Sequence, residues 1–387
     1  MVTAASPINA PDGWEAHETW ADGLEGSTLR QVVHGSIAGE AARVVISNRA
    51  GTAPLVVGAA GVAVAAQAAG SSAALREGTS RPLTFAGRAG VTVAPGEEVT
   101  SDEVALAVPA DHDLAVDLAV TGPTGVPNGA RASGQTSWRG DGDLVAVATG
   151  EGFTESRTGL AYVAAVEVRA AEPEGAVVVM GDSKSDGGIS VPPDSEQRWS
   201  DVLLDRLVAA GRRDVGVANV SFMGATLLPA DDPTSGLGRF DDDVLARAGV
   251  RTVIVALGTN DLLWRTTDEI TDALAELVER GHAAGVRVIG ATIPPFAGSR
   301  ADAPCIDTEP PDMRREGTRL GVNARIRGDE GVEPLALDAV LDLDAVLGDP
   351  LERSRIACGF SLLGNSHPST TGHAAMAAAV DLTTLLS

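Results

Sequence analysis

Three short polar clusters carry side chains that could do chemistry together. The first is Gly181-Asp182-Ser183-Lys184-Ser185-Asp186-Gly187, directly after the apolar run Val177–Met180. A serine on a tight strand-to-helix turn can present its hydroxyl at a sheet edge, and Gly181 and Gly187 permit such a turn. The second is Gly258-Thr259-Asn260-Asp261, directly after Val253–Leu257. Here Asn260 can aim its amide N–H₂ at a developing oxyanion, while Asp261 can pin the loop by accepting backbone N–H bonds. The third is His367-Pro368, just before Ser369. A histidine held extended by a following proline can act as general base to a serine. Between the first two clusters, Phe222-Met223-Gly224-Ala225 offers the Gly224 N–H as a further oxyanion donor. Taken singly, each cluster is equally an ordinary βα loop, an Asx-type turn or a structural histidine. The other five histidines, His17, His34, His112, His282 and His373, have no cluster around them and are expected to face solvent or be satisfied locally.

Such residues need elements that bring them to one place. From Val177 onward the chain alternates short apolar runs with helical spacing. Val177–Met180, Val253–Leu257 and Val286–Ile289 read as buried parallel strands. Trp199, Val202, Leu203 and Leu207 share one helical face, as do Ile270, Leu274, Leu277 and Val278. Thr267 is the expected cap of that second helix and Gly285 its stop; Ser369 is the expected cap of a last helix through Met376 and Val380. Strand, helix, strand, helix predicts a doubly wound parallel sheet, whose sites form at the carboxyl ends of strands. The first 170 or so residues differ. Alternation in Leu83-Thr84-Phe85, Val91-Thr92-Val93, Val104–Val108 and Leu114–Leu118, with turn residues between, predicts an all-β sandwich. Ala170–Gly175 is the expected linker, giving a β-sandwich domain over 1–172 and an α/β domain over 173–387.

Composition narrows the function classes. Hydrophobic residues are 44% and charged residues 21%, so the chain should fold rather than remain disordered. The net charge of −24 argues against nucleic acid, which needs a basic face, and against anionic membrane surfaces. No apolar run is clean and long enough to span a bilayer, so no membrane insertion is expected. Met1–Trp20 lacks a basic start and a continuous apolar stretch, so no secretory signal is expected within it. Cys305 and Cys358 can form one bridge or stay free. Lys184 is the one lysine in the chain and adjoins the candidate serine; it is expected to point to solvent or pair with Asp186 or Asp194.

In order and placement these clusters resemble the SGNH, or GDSL-type, hydrolase family. Gly181-Asp182-Ser183 matches its nucleophile block, Gly224 its glycine block, Gly258-Thr259-Asn260-Asp261 its asparagine block and His367-Pro368 its histidine block. The resemblance covers about residues 176–387. It implies a flavodoxin-like three-layer α/β fold. The first domain resembles the jelly-roll-like sandwich that precedes the catalytic domain in some bacterial members, through Thr28-Leu29-Arg30-Gln31, Ser47-Asn48 and Gly51-Thr52-Ala53-Pro54-Leu55. The implied activity is a serine esterase acting on short-chain acyl or acetyl esters, carbohydrate esters among them. Ser183 would attack the carbonyl and His367 would carry the proton. The Ser183 and Gly224 N–H groups and the Asn260 side chain would hold the oxyanion, with Asp182 and Asp261 in support. The implied mechanism needs no metal and no organic cofactor.

One position departs from the family pattern. Its histidine block is normally Asp-x-x-His, and that aspartate completes the triad. Here the position is Gly364, in Gly364-Asn365-Ser366-His367. Three arrangements are open: a Ser–His dyad with His367 bonded to a main-chain carbonyl, an acid borrowed from Asp342 or Asp344, or a crippled site. The last would leave an impaired hydrolase acting as a carbohydrate-binding protein. The dyad is the favoured expectation.

Overall fold

Alternating short strands in the first half pair antiparallel into two main sheets, as expected where one face of each strand is buried. The structure is a computed structural model and describes residues 1–5, 20, 22–67, 72–125, 127, 129–130, 134–297 and 312–386. His17 and Cys305, singled out above, lie outside these residues. One sheet runs Val2–Ala5, Val163–Arg169, Gly39–Ser47, Glu98–Thr100, with Val104–Val108 also paired to Gly39–Ser47. The other runs Glu155–Thr158, Thr136–Asp141, Ser27–Gly35, His112–Val120, Leu55–Val64, Arg81–Pro82, with Val91–Val93 also paired to Leu55–Val64. Val44, Ile46 and Val166 from the first sheet share one continuous core with Leu29, Val33, Leu114 and Val116 from the second. Two sheets burying their inner faces on one another make a sandwich. Leu83–Phe85, expected as a strand, is not one. Phe85 makes a single bridge to Arg88, because Ala86 and Gly87 turn the chain with φ of 51° and 77°.

The second half forms a five-stranded parallel sheet. Its order is Val215–Asn219, Gly175–Gly181, Val250–Ala256, Arg287–Ala291, Ala339–Leu341. Numbered along the chain, that is second, first, third, fourth, fifth. Gly175–Gly181 is buried along its whole length, which accounts for its unbroken apolar run. The long helix Thr267–Ala283 packs on Arg287–Ala291 and on the helix Met313–Arg327. It buries Ile270, Leu274, Leu277 and Val278 and is followed by Gly285 in a left-handed conformation. Its cap is Thr266, one residue before the expected Thr267, because Glu269 stands three residues on and completes a capping box. Ser369 caps the last helix, Thr370–Ala378. Where the strand order reverses, between the first and third strands, the connections leave in opposite directions and open a crevice beyond the strand ends. By packing, the chain groups into two compact units. One comprises Met1–Ala176, Pro192–Glu196 and Leu207–Asn219; the other comprises Val177–Val191, Gln197–Arg206 and Val220–Ser387.

Candidate active site

The nucleophile turn is fixed by local chemistry. Gly175–Gly181 ends and Asp182 caps the short helix Ser183–Asp186, its Oδ1 accepting from the Lys184 N–H at 2.9 Å. Gly187 closes that turn with a φ of 77°. A Cβ at Gly181 would lie 2.6 Å from the Ser185 Cβ, so only glycine lets the strand run this close to the turn. Ser183 Oγ stands 3.0 Å from His367 Nε2 and the pair is hydrogen-bonded across 184 residues of chain.

His367 is held by a second tight turn. Leu363 and Gly364 have φ of 51° and 90°, and the Asn365 N–H closes on the Leu362 carbonyl at 3.0 Å. Two successive positive φ values with that bond are the signature of a type I′ turn, which calls for glycine at its second centre. The flanking chain runs back on itself. Leu362 N–H donates to the His367 carbonyl and Ser369 N–H to that of Phe360, while the His367 N–H donates to Asn365 Oδ1. Cys358, which opens the turn Cys358–Phe360 at the foot of this loop, is disulfide-bonded. Gly364 is therefore a turn residue, and it brings no carboxylate to His367. Among the described residues, His367 Nδ1 makes no hydrogen bond, so the main-chain carbonyl expected for a dyad is not found there. The borrowed acids are already engaged. Asp342 pairs with Arg327 at 2.6 Å, and Asp344 pairs with Arg319 at 2.5 Å and Arg327 at 2.6 Å.

The asparagine and glycine loops are tied to one another. Asn260 Nδ2 donates to the Ala225 carbonyl at 2.8 Å, next to Gly224, whose φ is 78°. Asp261, fully buried, accepts the N–H groups of Leu227 at 2.8 Å and Leu228 at 3.0 Å. Ser183 and Asn260 leave neighbouring strands at the same end of the sheet, where the order reverses. Gly258, with φ of 118°, has no room for a side chain, since a Cβ would meet Ile293 at 2.8 Å.

Electrostatics sets this site apart. Burial, and then the charge of Lys184, lower the His367 pKa to about 4. The imidazole is therefore neutral at pH 7 and its lone pair is available, but it is a weak base. Lys184 does not point to solvent, nor does it pair with Asp186 or Asp194 as expected. It is 6% exposed and lines a small cavity with Asp182, Thr259, Thr292, Ile293 and Met376. Burial pushes its pKa down, opposed by Asp182. The short helix Ser183–Asp186 points the residue after the serine inward, whatever its charge.

Of the other histidines, His282 pairs with Asp338 at 2.9 Å and His112 Nε2 stands 2.9 Å from Arg76. His373 is buried and its Nδ1 accepts from the Trp199 N–H at 3.2 Å. His34 departs from its expectation: it stands among carboxylates, which the sequence shows only as the run Asp111-His112-Asp113 far downstream.

No curated protein matches the chain. Similar solved structures include the lipase/acylhydrolase from Enterococcus faecalis, 22% identical over 53% of this chain and 92% of that one, with a TM-score of 0.39. A GDSL-like lipase from Bacteroides thetaiotaomicron is 19% identical over 55% and 91%, with a TM-score of 0.37. Est24, a carbohydrate acetylesterase from Sinorhizobium meliloti, is 19% identical over 52% and 94%, with a TM-score of 0.36. The family model of the GDSL-like lipase/acylhydrolases matches residues 177–380, more than half of the chain and the stretch that carries Ser183, Gly224, Asn260 and His367. By that match this chain belongs to the GDSL-like lipase/acylhydrolase family.

Proposed function

We propose that the protein is a serine esterase for short-chain acyl or acetyl esters, working through Ser183 and His367 without a triad carboxylate. The 3.0 Å contact between Ser183 Oγ and neutral His367 Nε2 carries this reading. His367 takes the serine proton as Oγ bonds to the ester carbonyl carbon. The carbonyl oxygen becomes an oxyanion, held by the N–H groups of Ser183 and Gly224 and by Asn260. As the intermediate collapses, the C–O bond to the alcohol breaks and His367 returns the proton to the leaving oxygen. Water then attacks the acyl-enzyme by the same route, releasing the acid and restoring Ser183. Asp182 and Asp261 hold the loops that carry these groups. The net charge of −24 favours small or carbohydrate esters over anionic lipid surfaces.

Removing a triad carboxylate's function can slow a serine hydrolase by about 10⁴-fold, so a modest rate is expected. The test is hydrolysis of p-nitrophenyl acetate beside Ser183→Ala, together with labelling by a fluorophosphonate. Turnover and labelling that both vanish in Ser183→Ala support the esterase. A parent no faster than Ser183→Ala and not labelled would leave an impaired hydrolase with a binding role.

A further inference from the structure

We infer that the first compact unit holds a divalent transition-metal ion on His34, Asp113 and Glu196, with Asp111 at the opposite ring nitrogen of His34. His34 lies near the end of Ser27–Gly35, in register with Asp113 on His112–Val120. Its Nδ1 is 2.9 Å from Asp113 Oδ1 and 3.9 Å from Glu196 Oε2, while its Nε2 is 3.2 Å from Asp111 Oδ1. The side chains of His34, Asp113 and Glu196 are 7%, 1% and 11% exposed. One ligand atom from each of the three lies within 4.8 Å of the other two. Nothing in the esterase chemistry uses this group, and the inference does not depend on that chemistry.

The imidazole itself calls for a cation. A neutral ring carries one N–H, yet both ring nitrogens here face carboxylate oxygens. On at least one side a lone pair would oppose an anionic oxygen, so a proton or a metal cation must sit between them. A proton on the ring supplies one charge. The carboxylates Asp111, Asp113 and Glu196 are gathered around that single ring, and Asp194 is close enough to act on Asp113. Arg213 acts on Asp111. A divalent ion meets the remaining buried charge better than a proton does.

Geometry and the surrounding donors agree. Ligand bonds of about 2.1 Å in tetrahedral array put ligand atoms roughly 3.4 Å apart, which the separations here straddle. Gln135 Nε2 donates to Glu196 Oε1 at 2.6 Å, leaving the other oxygen of that carboxylate turned toward the ring. Thr136 holds the neighbouring Asp194 through its N–H at 2.7 Å and its Oγ1 at 2.6 Å. Such outer donors orient metal-binding carboxylates. One imidazole among carboxylates suits Zn²⁺ or Mn²⁺ and is a poor match for Ca²⁺, which takes oxygen ligands. The ion would fasten the segment Pro192–Glu196 to the two strands that carry His34 and Asp113.

The test uses the untagged full chain, stripped with EDTA and then offered Zn²⁺, Mn²⁺ or Ca²⁺ separately. Metal per chain is measured after gel filtration, and thermal unfolding is followed with each ion. The expected result is about one Zn²⁺ or Mn²⁺ per chain and a Tm rise of roughly 5 °C, with Ca²⁺ much weaker. Glu196→Gln should keep the fold and the Gln135 contact while weakening binding at least tenfold. His34→Gln should do the same, and Glu196→Gln decides the matter should His34→Gln fail to fold. No retained ion and an unchanged Tm with all three would overturn the site. So would equal binding in Glu196→Gln, which would place the ion elsewhere.

Discussion

His34 and His367 have opposite surroundings. His34 has carboxylate oxygens at both ring nitrogens, at 2.9 and 3.2 Å. His367 has a serine hydroxyl at one nitrogen and no carboxylate at the other among the described residues, and the charge that acts on it is the cation of Lys184. Carboxylates around an imidazole stabilise its cation or a metal; their absence, with burial, keeps it neutral. A serine hydrolase ordinarily combines the two, using one carboxylate to orient its base and support the imidazolium. Among the described residues those functions have come apart. The histidine that meets the serine is positioned by a type I′ turn instead, and the carboxylates gather on a histidine that meets no nucleophile.

The largest expected effect breaks the comparison at His367. Ser183→Ala and His367→Ala should each lower kcat/KM for p-nitrophenyl acetate by about 10³-fold or more, and the double variant should be little worse than either. Activity retained in His367→Ala would remove the imidazole from the chemistry. Next is Asp261→Ala, which leaves the N–H groups of Leu227, buried, and Leu228, half-buried, without their acceptor. A loss of roughly 2–4 kcal/mol in denaturant unfolding is expected. An unchanged midpoint would show that this loop is not pinned from there.

Two smaller effects sharpen the contrast in charge. Lys184→Met removes the cation that acts on His367. The acid limb of the kcat/KM profile should move up from about 4 toward 6.5, and kcat/KM at pH 7 should rise several-fold. No movement of the limb would mean that burial alone sets the base. His367 and His373 both have folded pKa values near 4, against 6.5 when unfolded. The unfolded chain therefore binds more protons between those values. Stability from this source is fully present above pH 6.5 and lost as pH falls to about 4. His373→Gln should flatten that slope in urea titrations at pH 4.5 and 7. The smallest effect is that of Gly364→Asp. An aspartate there must adopt a φ of 90°, which costs about 1–2 kcal/mol, and little activity should be gained. A large gain would show that the turn can deliver a carboxylate to His367 after all.

Much of the α/β half was legible because its signals are local. The run before Ser183, the apolar face from Ile270 to Val278 and the cap at Ser369 each depend on residues within a few positions of one another. Even the misplacement of the Thr266 cap is a one-residue choice between two threonines, decided by Glu269. Lys184 reads in sequence as a surface residue because charged side chains are seldom buried. Its direction follows from the turn between Gly181 and Gly187, which the sequence suggests only as a possibility. Gly364 reads in sequence as a missing acid. Only the paired positive φ values of Leu363 and Gly364 show it as a turn requirement. His34 was illegible for another reason: its carboxylates arrive from a strand 79 residues later and from the segment Pro192–Glu196, through strand register that alternation alone does not set.

The most direct test of the central claim is the pH dependence of kcat/KM for p-nitrophenyl acetate from pH 3.5 to 8, in the parent and in His367→Ala. A Ser–His pair without a carboxylate predicts an acid limb with an apparent pKa near 4, a plateau to pH 8, and loss of the limb together with the activity in His367→Ala. A limb near 6.5 to 7 in the parent would contradict the account, because burial and Lys184 would then not be holding His367 below its ordinary value. Activity that survives His367→Ala would contradict it outright.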